Sequence, residues 1–562
     1  MKKWLFFSCL LAFTCCRAQL PPGEYTTTNK KAIATFQNAL KLFQSGNDEK
    51  AKEELSKAIE KAPDFIEPHL LLAEIYQTKR QTPQAIEEYQ KAISINPGFN
   101  TNNFYNIAQL EISLGRYQDA KSDFERFLKK PHINPDSREN AERQLANCDF
   151  AIEAMKQPVP FEPKNLGEAI NTSLDEYFPA VTADDQVFLF TRNNRTSTIP
   201  LQEDFLISKK VNGVWQPATL MAGVNTPGNE GSPALSADGQ LLFFVACATI
   251  DGTYGAGRKG IGSCDIFYSQ KVGDKWSVPY NMGRTINSAA WESQPSFSSD
   301  GKTLYFLSNM PGGIGDADIW YSTLQKDGSW GRPVNMGPKI NTPGKEESVY
   351  IHPDGKTLYF GSNGHVGMGG LDLYVVRKND AGEWGEPVNL GYPINTYADD
   401  NSILINGTGE LAYIASSRAG GFGGLDLYQF NLYEAARPGK ISYMKGKVYD
   451  ARTKQPLGAH FELLDLETSK SRMASDANPG NGEFLVVLPV EKNYALNVSH
   501  PGYLFYSENF SLKDLKDPSQ PYLMDVPLEP IDTGSIVELK NVFFETAKFD
   551  LKPESKVELD KL

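Results

Sequence analysis

The amino-acid sequence predicts a multidomain protein: an α-helical repeat array, then a closed ring of small β-sheets, then a β-sandwich and the opening of an α/β unit. Three observations carry that prediction. Small residues recur on a 34-residue beat across residues 30 to 155, five near-copies of one segment lie between Asn165 and Phe430, and short alternating strands begin after Tyr433. A chain of 562 residues is long enough for three or four cores.

At the N-terminus, Lys2 and Lys3 precede an apolar run from Trp4 to Phe13. That run has the length of a signal peptide's hydrophobic segment and is too short to span a bilayer. Export is therefore expected, with residues 1–18 removed as a signal peptide. Cys16-Arg17-Ala18 before Gln19 places a small residue next to the cut. The competing reading takes Thr14-Cys15-Cys16 as a degenerate lipobox with Cys15 or Cys16 as an acylated anchor, although Thr14 stands where that pattern has Gly, Ala or Ser. The formal charge is −13, and losing Lys2, Lys3 and Arg17 with no acid takes it to −16. Such acidity argues against a nucleic-acid partner, whose phosphates would repel the chain.

Residues 27–157 read as paired helices. The beat appears in Ala51, Ala85 and Ala120 and again in Ala58, Ala92 and Phe127, with Pro63 and Pro97 ending successive units and Leu114-Gly115-Arg116-Tyr117 at a helix–helix turn. This matches the tetratricopeptide pattern, in which small residues let paired helices approach closely. Three repeats are expected, with a capping helix from Ser137 to Met155 whose Arg138, Glu139, Glu142 and Arg143 face water. The array is read either as a groove for a partner peptide or protein, with Tyr76, Tyr89, Asn103 and Asn106 worth testing, or as a rigid spacer.

The five segments of residues 160–433 open on Ile170-Asn171, Val224-Asn225, Ile286-Asn287, Ile340-Asn341 and Ile394-Asn395, at intervals of 54, 62, 54 and 54 residues. Each contains a tight turn and an aromatic strand, as in Asp300-Gly301-Lys302-Thr303-Leu304-Tyr305-Phe306, then an Asp leading a further strand, and most close on Trp-x-x-Pro. Glycine suits the positive backbone angles of such a turn. One small sheet cannot bury both faces alone, so a repeat of this kind stacks into a β-propeller. The flank Phe161 to Gly167 looks like the strand that the last segment lacks. It is expected to complete that blade and close a five-bladed ring, with six blades as the alternative.

Within the ring, Cys247 and Cys264 flank a Gly-rich loop, Gly252 to Gly262, and a disulfide pinning that loop is expected in an oxidising compartment; two unpaired thiols are the alternative. Cys148 reads as a buried helix residue. Three thiols without clustered His carry no zinc pattern, and neither a metal nor a cofactor is expected. Asp204, Asp265, Asp318, Asp372 and Asp426 recur once per segment. They are read as structural, accepting backbone hydrogen bonds at the strand start and locking blades together, against the alternative of a carboxylate ring binding a cation.

After the linker Ala435 to Lys440, residues 441–530 alternate in short runs such as Lys447-Val448-Tyr449 and Phe484-Leu485-Val486-Val487-Leu488. Gly and Pro turns between them point to a small antiparallel sandwich. Lys445 to Val448, Pro456 to Ala459, Gly482-Glu483-Phe484 and Pro501-Gly502-Tyr503 resemble the carboxypeptidase regulatory-like domain. Residues 535–562, with Val542-Phe543-Phe544 and Asp550-Leu551-Lys552-Pro553, look like the start of an OmpA-like peptidoglycan-binding domain. The Asp and Arg through which that family grips diaminopimelate have no counterpart within 1–562, so no peptidoglycan-binding residue is assigned and a fragment is expected.

The four modules in this order, with PD40-like (WD40-like) units in the ring, resemble the OmpA-family periplasmic proteins of Bacteroidetes, most nearly the PorE family of the type IX secretion system. The resemblance implies a periplasmic scaffold at the outer membrane. It would contact a PorP-type membrane protein and other envelope proteins and reach peptidoglycan through the remainder of the OmpA-like domain. Catalysis is not expected. Gly-x-Ser-x-Gly occurs nowhere, Ser298, Ser299 and Ser362 lack a nucleophile elbow, and His69, His132, His352, His365, His460 and His500 are scattered over different modules. A third class is a glycan or ligand sensor, with Gly367 to Gly370, Gly420 to Gly424, Trp291 and Trp320 lining a cleft, although Trp at blade ends more often packs.

Overall fold

The computed structural model describes residues 24–562 apart from 101, 195–201, 250, 419, 467–469, 491, 513–519, 533, 535, 537–538, 545–549, 553–554 and 560–562. The expected signal peptide and the lipidation candidates Cys15 and Cys16 lie outside the described residues. The chain forms two compact units. One holds residues up to Gln157 with the short pieces Val366–Gly369 and Thr396–Ala398; the other holds the rest.

Among the described residues the first unit contains seven helices: α1 (Lys30–Gln44), α2 (Asp48–Lys61), α3 (Ile66–Thr78), α4 (Thr82–Ile95), α5 (Asn102–Ile112), α6 (Tyr117–Leu128) and α7 (Pro135–Lys156). Local chemistry fixes their ends. The Asn29 side chain accepts from the Lys31 and Ala32 N–H groups at the start of α1, and Asn134 does the same for Asp136 and Ser137 ahead of α7, where Pro135 fills the first turn. Gly115 turns the chain between α5 and α6 at φ +68°. Ala51, Ala58, Ala85, Ala92 and Ala120 are all fully buried, so the beat of small residues marks helix–helix contact. Phe36, Leu55, Phe65 and Ile75 fill one layer of the core, and Ile66, Ile86, Tyr89 and Ile107 fill the next.

The second unit is rich in strands. Five antiparallel sheets follow one plan, in which three strands run consecutively and a short strand lies outermost on the third, joined in two of the sheets by a second short strand. Their innermost strands are Asp175–Val181, Asn229–Leu235, Glu292–Phe297, Glu346–Ile351 and Asn401–Ile405. Each innermost strand contacts the next in order, and the fifth contacts the first. The last sheet takes its outermost strand from the other end of the segment: Lys164–Asn165 pairs antiparallel with Asp426–Asn431, Lys164 opposite Gln429 and Asn165 opposite Tyr428.

One side chain recurs at every junction. The Asn171 amide accepts from the Leu427 N–H at 2.8 Å and donates to the Leu427 carbonyl at 2.9 Å. Asn225 makes the same pair of bonds with Phe205, Asn287 with Ile266, Asn341 with Ile319 and Asn395 with Leu373. The corner opened by each Ile-Asn or Val-Asn pair is therefore bonded to the third strand of a sheet as an added strand residue would be.

Beyond the five sheets, two four-stranded sheets enclose one apolar core that includes Met444, Val448, Phe461, Phe484, Tyr494 and Leu496. Strand Ile441–Asp450 pairs over Ile441 to Lys447 with Glu483–Pro489. These sheets rest on the turns of the first two sheets of the ring. Ile441, Tyr443, Leu485 and Val487 pack with Ala183 and Ala237, and Lys445 lies 3.3 Å from Asp184. Asn478 accepts from the Gly273 N–H at 2.8 Å and donates to Gln240 at 2.7 Å.

Asn341 is fully buried and holds three partners, Ile319 N–H, Ile319 C=O and Asn335. Replacing it with Ala leaves a backbone donor and a backbone acceptor unpaired in a closed site. Asn341→Ala is expected to lower the stability of the second unit by about 3 kcal/mol in urea denaturation, whereas Asn379→Ala at an exposed turn should change it by under about 0.5 kcal/mol.

Candidate functional site

The helical residues singled out from sequence are mostly engaged in packing. Tyr89 and Asn103 are buried, and Tyr76 is half-buried with the Lys52 ammonium 5.6 Å from its ring centre. Asn106 is half-buried, its amide 3.5 Å from the Tyr89 hydroxyl. Two acids of the same helices stand out instead. Burial pushes Glu74 on α3 up to about 7 and Glu111 on α5 up to about 8, the latter helped by Asp123 and Asp119.

Among the five strand-leading aspartates, three share one arrangement. Asp265 accepts from the Ile261 and Gly262 N–H groups and from the Asn281 amide, Asp318 from Ile314, Gly315 and Asn335, and Asp426 from Phe422, Gly423 and Asn165. Their oxygens are occupied by a turn and by the outermost strand of the same sheet. Asp204 accepts from the Asn194 amide at 2.7 Å, and Asp372 is buried at its strand start. These bonds run within each sheet, where the sequence led us to expect locks from one sheet to the next. In the last sheet the bond also lies within one sheet but joins Asn165 and Asp426, which are 261 residues apart in the chain. No group of three or more His, Cys, Asp or Glu is placed to hold a metal ion among the described residues.

A second set of carboxylates went unnoticed in the sequence. Glu176, Glu230, Glu292 and Glu346 are fully buried at the starts of four innermost strands, and Asp400 holds the equivalent place in the fifth repeat. Each Glu accepts from the N–H and hydroxyl of the residue four before it: Thr172, Thr226, Ser288 and Thr342. The readable signal was a Thr or Ser after each repeat-opening Asn and an acid four residues on, as in Asn341-Thr342-Pro343-Gly344-Lys345-Glu346.

Charge compensation differs around the ring. Arg192 on the second strand of the first sheet bonds Glu176 at 2.7 Å and the Ile170 carbonyl at 2.8 Å. The second sheet has Ala246 in that register, and Arg258 reaches in from the loop to bond Glu230 and the Val224 carbonyl. That loop is pinned by a Cys247–Cys264 disulfide. In the third and fourth sheets Ser308 and Ser362 stand there and give Glu292 and Glu346 one hydroxyl bond each, at 2.9 Å. Burial raises all four acids above the ordinary glutamate range, and Glu346 reaches about 7.

At the ring's centre the innermost strands surround a cavity. Each strand carries a bulge whose first residue has positive φ: Phe178 (+48°), Ser232 (+52°), Gln294 (+46°), Ser348 (+55°) and Ser402 (+60°). Side chains stitch neighbouring strands there. The Ser348 N–H donates to the Gln294 carbonyl oxygen, the Ser402 N–H to Ser348 Oγ at 2.8 Å, and the Ile351 N–H to Ser296 Oγ at 2.9 Å. The rest of the wall is mainly proline, alanine, branched aliphatic and aromatic side chains, the last being Phe178, Phe297 and Tyr350, with no Asp, Glu, Lys, Arg or His.

Other reactive side chains are dispersed. His352 bonds the Asn406 carbonyl, His365 the Ile340 carbonyl, His69 the Glu88 carboxylate and His460 that of Asp476. Ser298 bonds Asp300, and Ser299 the Pro353 carbonyl. Among the described residues no serine hydroxyl bonds a histidine ring. Cys148 is a buried thiol, pushed up to about 12 by burial. Trp320 is buried with its N–H on the Ser308 carbonyl, and Gly423 lies against the backbone of Leu174 and Thr172, so these members of the proposed sugar cleft are committed to packing.

The class to which the helical unit belongs follows from its paired helices and buried alanines: residues 66–99 and 102–129 match the tetratricopeptide repeat family. The chain belongs to one family with an uncharacterized protein of Haemophilus influenzae (strain ATCC 51907 / DSM 11121 / KW20 / Rd), 30% identical over 147 residues that make up 25% of this chain and 77% of that protein. Among solved structures, the TPR domain of P58(IPK) is similar at 20% identity over 23% of this chain and 35% of that one, with a TM-score of 0.21. The chain thus spans about a third of the length of that structure. Pseudomonas aeruginosa pilF is similar at 27% identity over 22% of this chain and 54% of its own, with a TM-score of 0.19. Tetratricopeptide arrays bind protein partners, and the helical unit is a scaffold for protein–protein interaction.

Glu346 also sets a pH dependence. Its folded value of about 7 lies above its ordinary 4.5, so between those values the folded chain holds a proton that the unfolded chain releases. Stability of the second unit therefore falls as pH rises through that window, by on the order of 3 kcal/mol from this group. Urea titrations at pH 5 and pH 8 are expected to show that loss, and Glu346→Gln should reduce it by most of that amount.

Proposed function

We propose that this chain is a non-enzymatic scaffold of the bacterial envelope, exported to the periplasm and associated with the outer membrane. The observation that carries the reading is the tetratricopeptide array, whose stacked helices present a surface for a protein partner. In this reading the five sheets are the blades of a five-bladed β-propeller, supported by the contact of the fifth innermost strand with the first and by the pairing of Lys164–Asn165 with Asp426–Asn431. The two sheets of residues 441–530 are the carboxypeptidase regulatory-like sandwich. Residues 535–562 open an OmpA-like domain whose remainder reaches peptidoglycan.

A scaffold also accounts for the absence of paired acid and base around the central cavity, since general acid–base chemistry needs convergent titratable groups. A disulfide within one sheet accords with an oxidising compartment. The partner is a PorP-type outer-membrane protein, with the ring and the helical array as the two surfaces open to it. The type IX secretion apparatus is the assembly that this combination of modules fits.

Crosslinked envelopes test the proposal. The full chain is expected to recover an outer-membrane β-barrel protein, and a chain lacking residues 161–430 is expected to lose it. Recovery of inner-membrane proteins alone would reject the reading.

A further inference from the structure

We infer that the cavity at the centre of the five sheets is a binding site for a small uncharged molecule that presents a carbonyl or hydroxyl oxygen on an apolar frame. Two polar groups of its wall are uncommitted. Gln294 is 9% exposed; its carbonyl oxygen receives the Ser348 N–H, while its amide NH2 has no partner among the described residues. Ser232, 7% exposed, holds the equivalent bulge position on the neighbouring sheet, and its hydroxyl likewise makes no hydrogen bond. The neighbouring hydroxyls are spoken for: Ser348 and Ser296 accept backbone N–H groups, Ser299 donates to Pro353, and Ser402 donates to Asn401. Both groups face the cavity without a protein partner, so a ligand oxygen can take a hydrogen bond from the Gln294 amide without displacing one of the fold.

The rest of the wall selects against charge. It offers no side chain of opposite sign, and an ion brought into such a site would lose its hydration without a partner. Pro179, Ala180, Pro233, Pro295 and Ile403 supply apolar surface instead. Backbone strain points to the same place. Five non-glycine residues take positive φ around one cavity, a conformation costing of order 1 kcal/mol or more each and found where surrounding structure holds a site in shape. The cavity also meets the following domain. Ala183 and Ala237 line it and pack against Tyr443 and Leu485, so an occupant lies beside the joint between ring and sandwich, a common location for ligand sites.

The test uses the full chain and two probes of similar size, N,N-dimethylacetamide, a neutral acceptor without a donor, and acetate, its charged counterpart. Saturation-transfer NMR is expected to detect binding of the amide and not of acetate. Gln294→Glu keeps the oxygen that receives the Ser348 N–H and removes the NH2 donor, and it is expected to weaken amide binding at least tenfold with an unchanged circular-dichroism spectrum. Ser232→Ala, which touches no hydrogen bond of the fold, is expected to weaken it several-fold. Equal binding of acetate, or amide binding unaltered in both folded variants, would overturn the inference.

Discussion

The strand-rich unit depends on the likeness between an asparagine side chain and a peptide group. Both present a carbonyl acceptor beside an N–H donor in one plane, and the Asn amide has a second N–H to spare, so a buried Asn can pair with a strand residue as a backbone neighbour would. Asn171, Asn225, Asn287, Asn341 and Asn395 each do so against the residue that follows the strand-leading Asp. Four of these bonds join residues 20 to 22 apart. The fifth joins Asn171 to Leu427 across 256 residues, so the same interaction that shapes each corner also fastens the two ends of the segment.

Buried carboxylates are the cost of the arrangement. Each acid bonds two groups of the corner that the asparagine opens, which leaves its charge in a closed, apolar setting. Arginine neutralises two of them and two others have only hydroxyl and backbone N–H donors, so sheets of the same plan differ in their response to protons. Regular geometry around the ring therefore coexists with irregular electrostatics.

Period and strand chemistry were legible in the sequence. Ala51, Ala85 and Ala120 marked helix contacts because only small side chains fit there, and Leu304-Tyr305-Phe306 marked a strand because an Asp-Gly turn precedes an aromatic run. The strand-leading aspartates were conspicuous because a recurring acid beside a Gly-rich turn invites attention. Glu176, Glu230, Glu292 and Glu346 were less so, since a Glu after a polar corner looks solvent-exposed until the corner folds back on it. The bulges were hidden for a different reason: Phe178 and Gln294 are poor guesses for positive φ, and only neighbouring strands impose it. Arg258 could not be matched with Arg192 from the sequence because it reaches an equivalent carboxylate from a different stretch of chain.

The second repeat is eight residues longer than its fellows, 62 against 54, and the surplus delivers Arg258 where strand register supplies only Ala246. Length and charge are thus a single inherited trait at this corner. A descendant that trimmed the loop would strand Glu230 in the interior, and one that replaced Glu230 with a neutral residue would leave a cation buried with nothing to meet it. In the third and fourth sheets a serine in that register serves the acid in place of an arginine, so at Ala246 the loop does by charge what a hydroxyl does elsewhere, and it is tied to the core by Arg258 as well as by its disulfide.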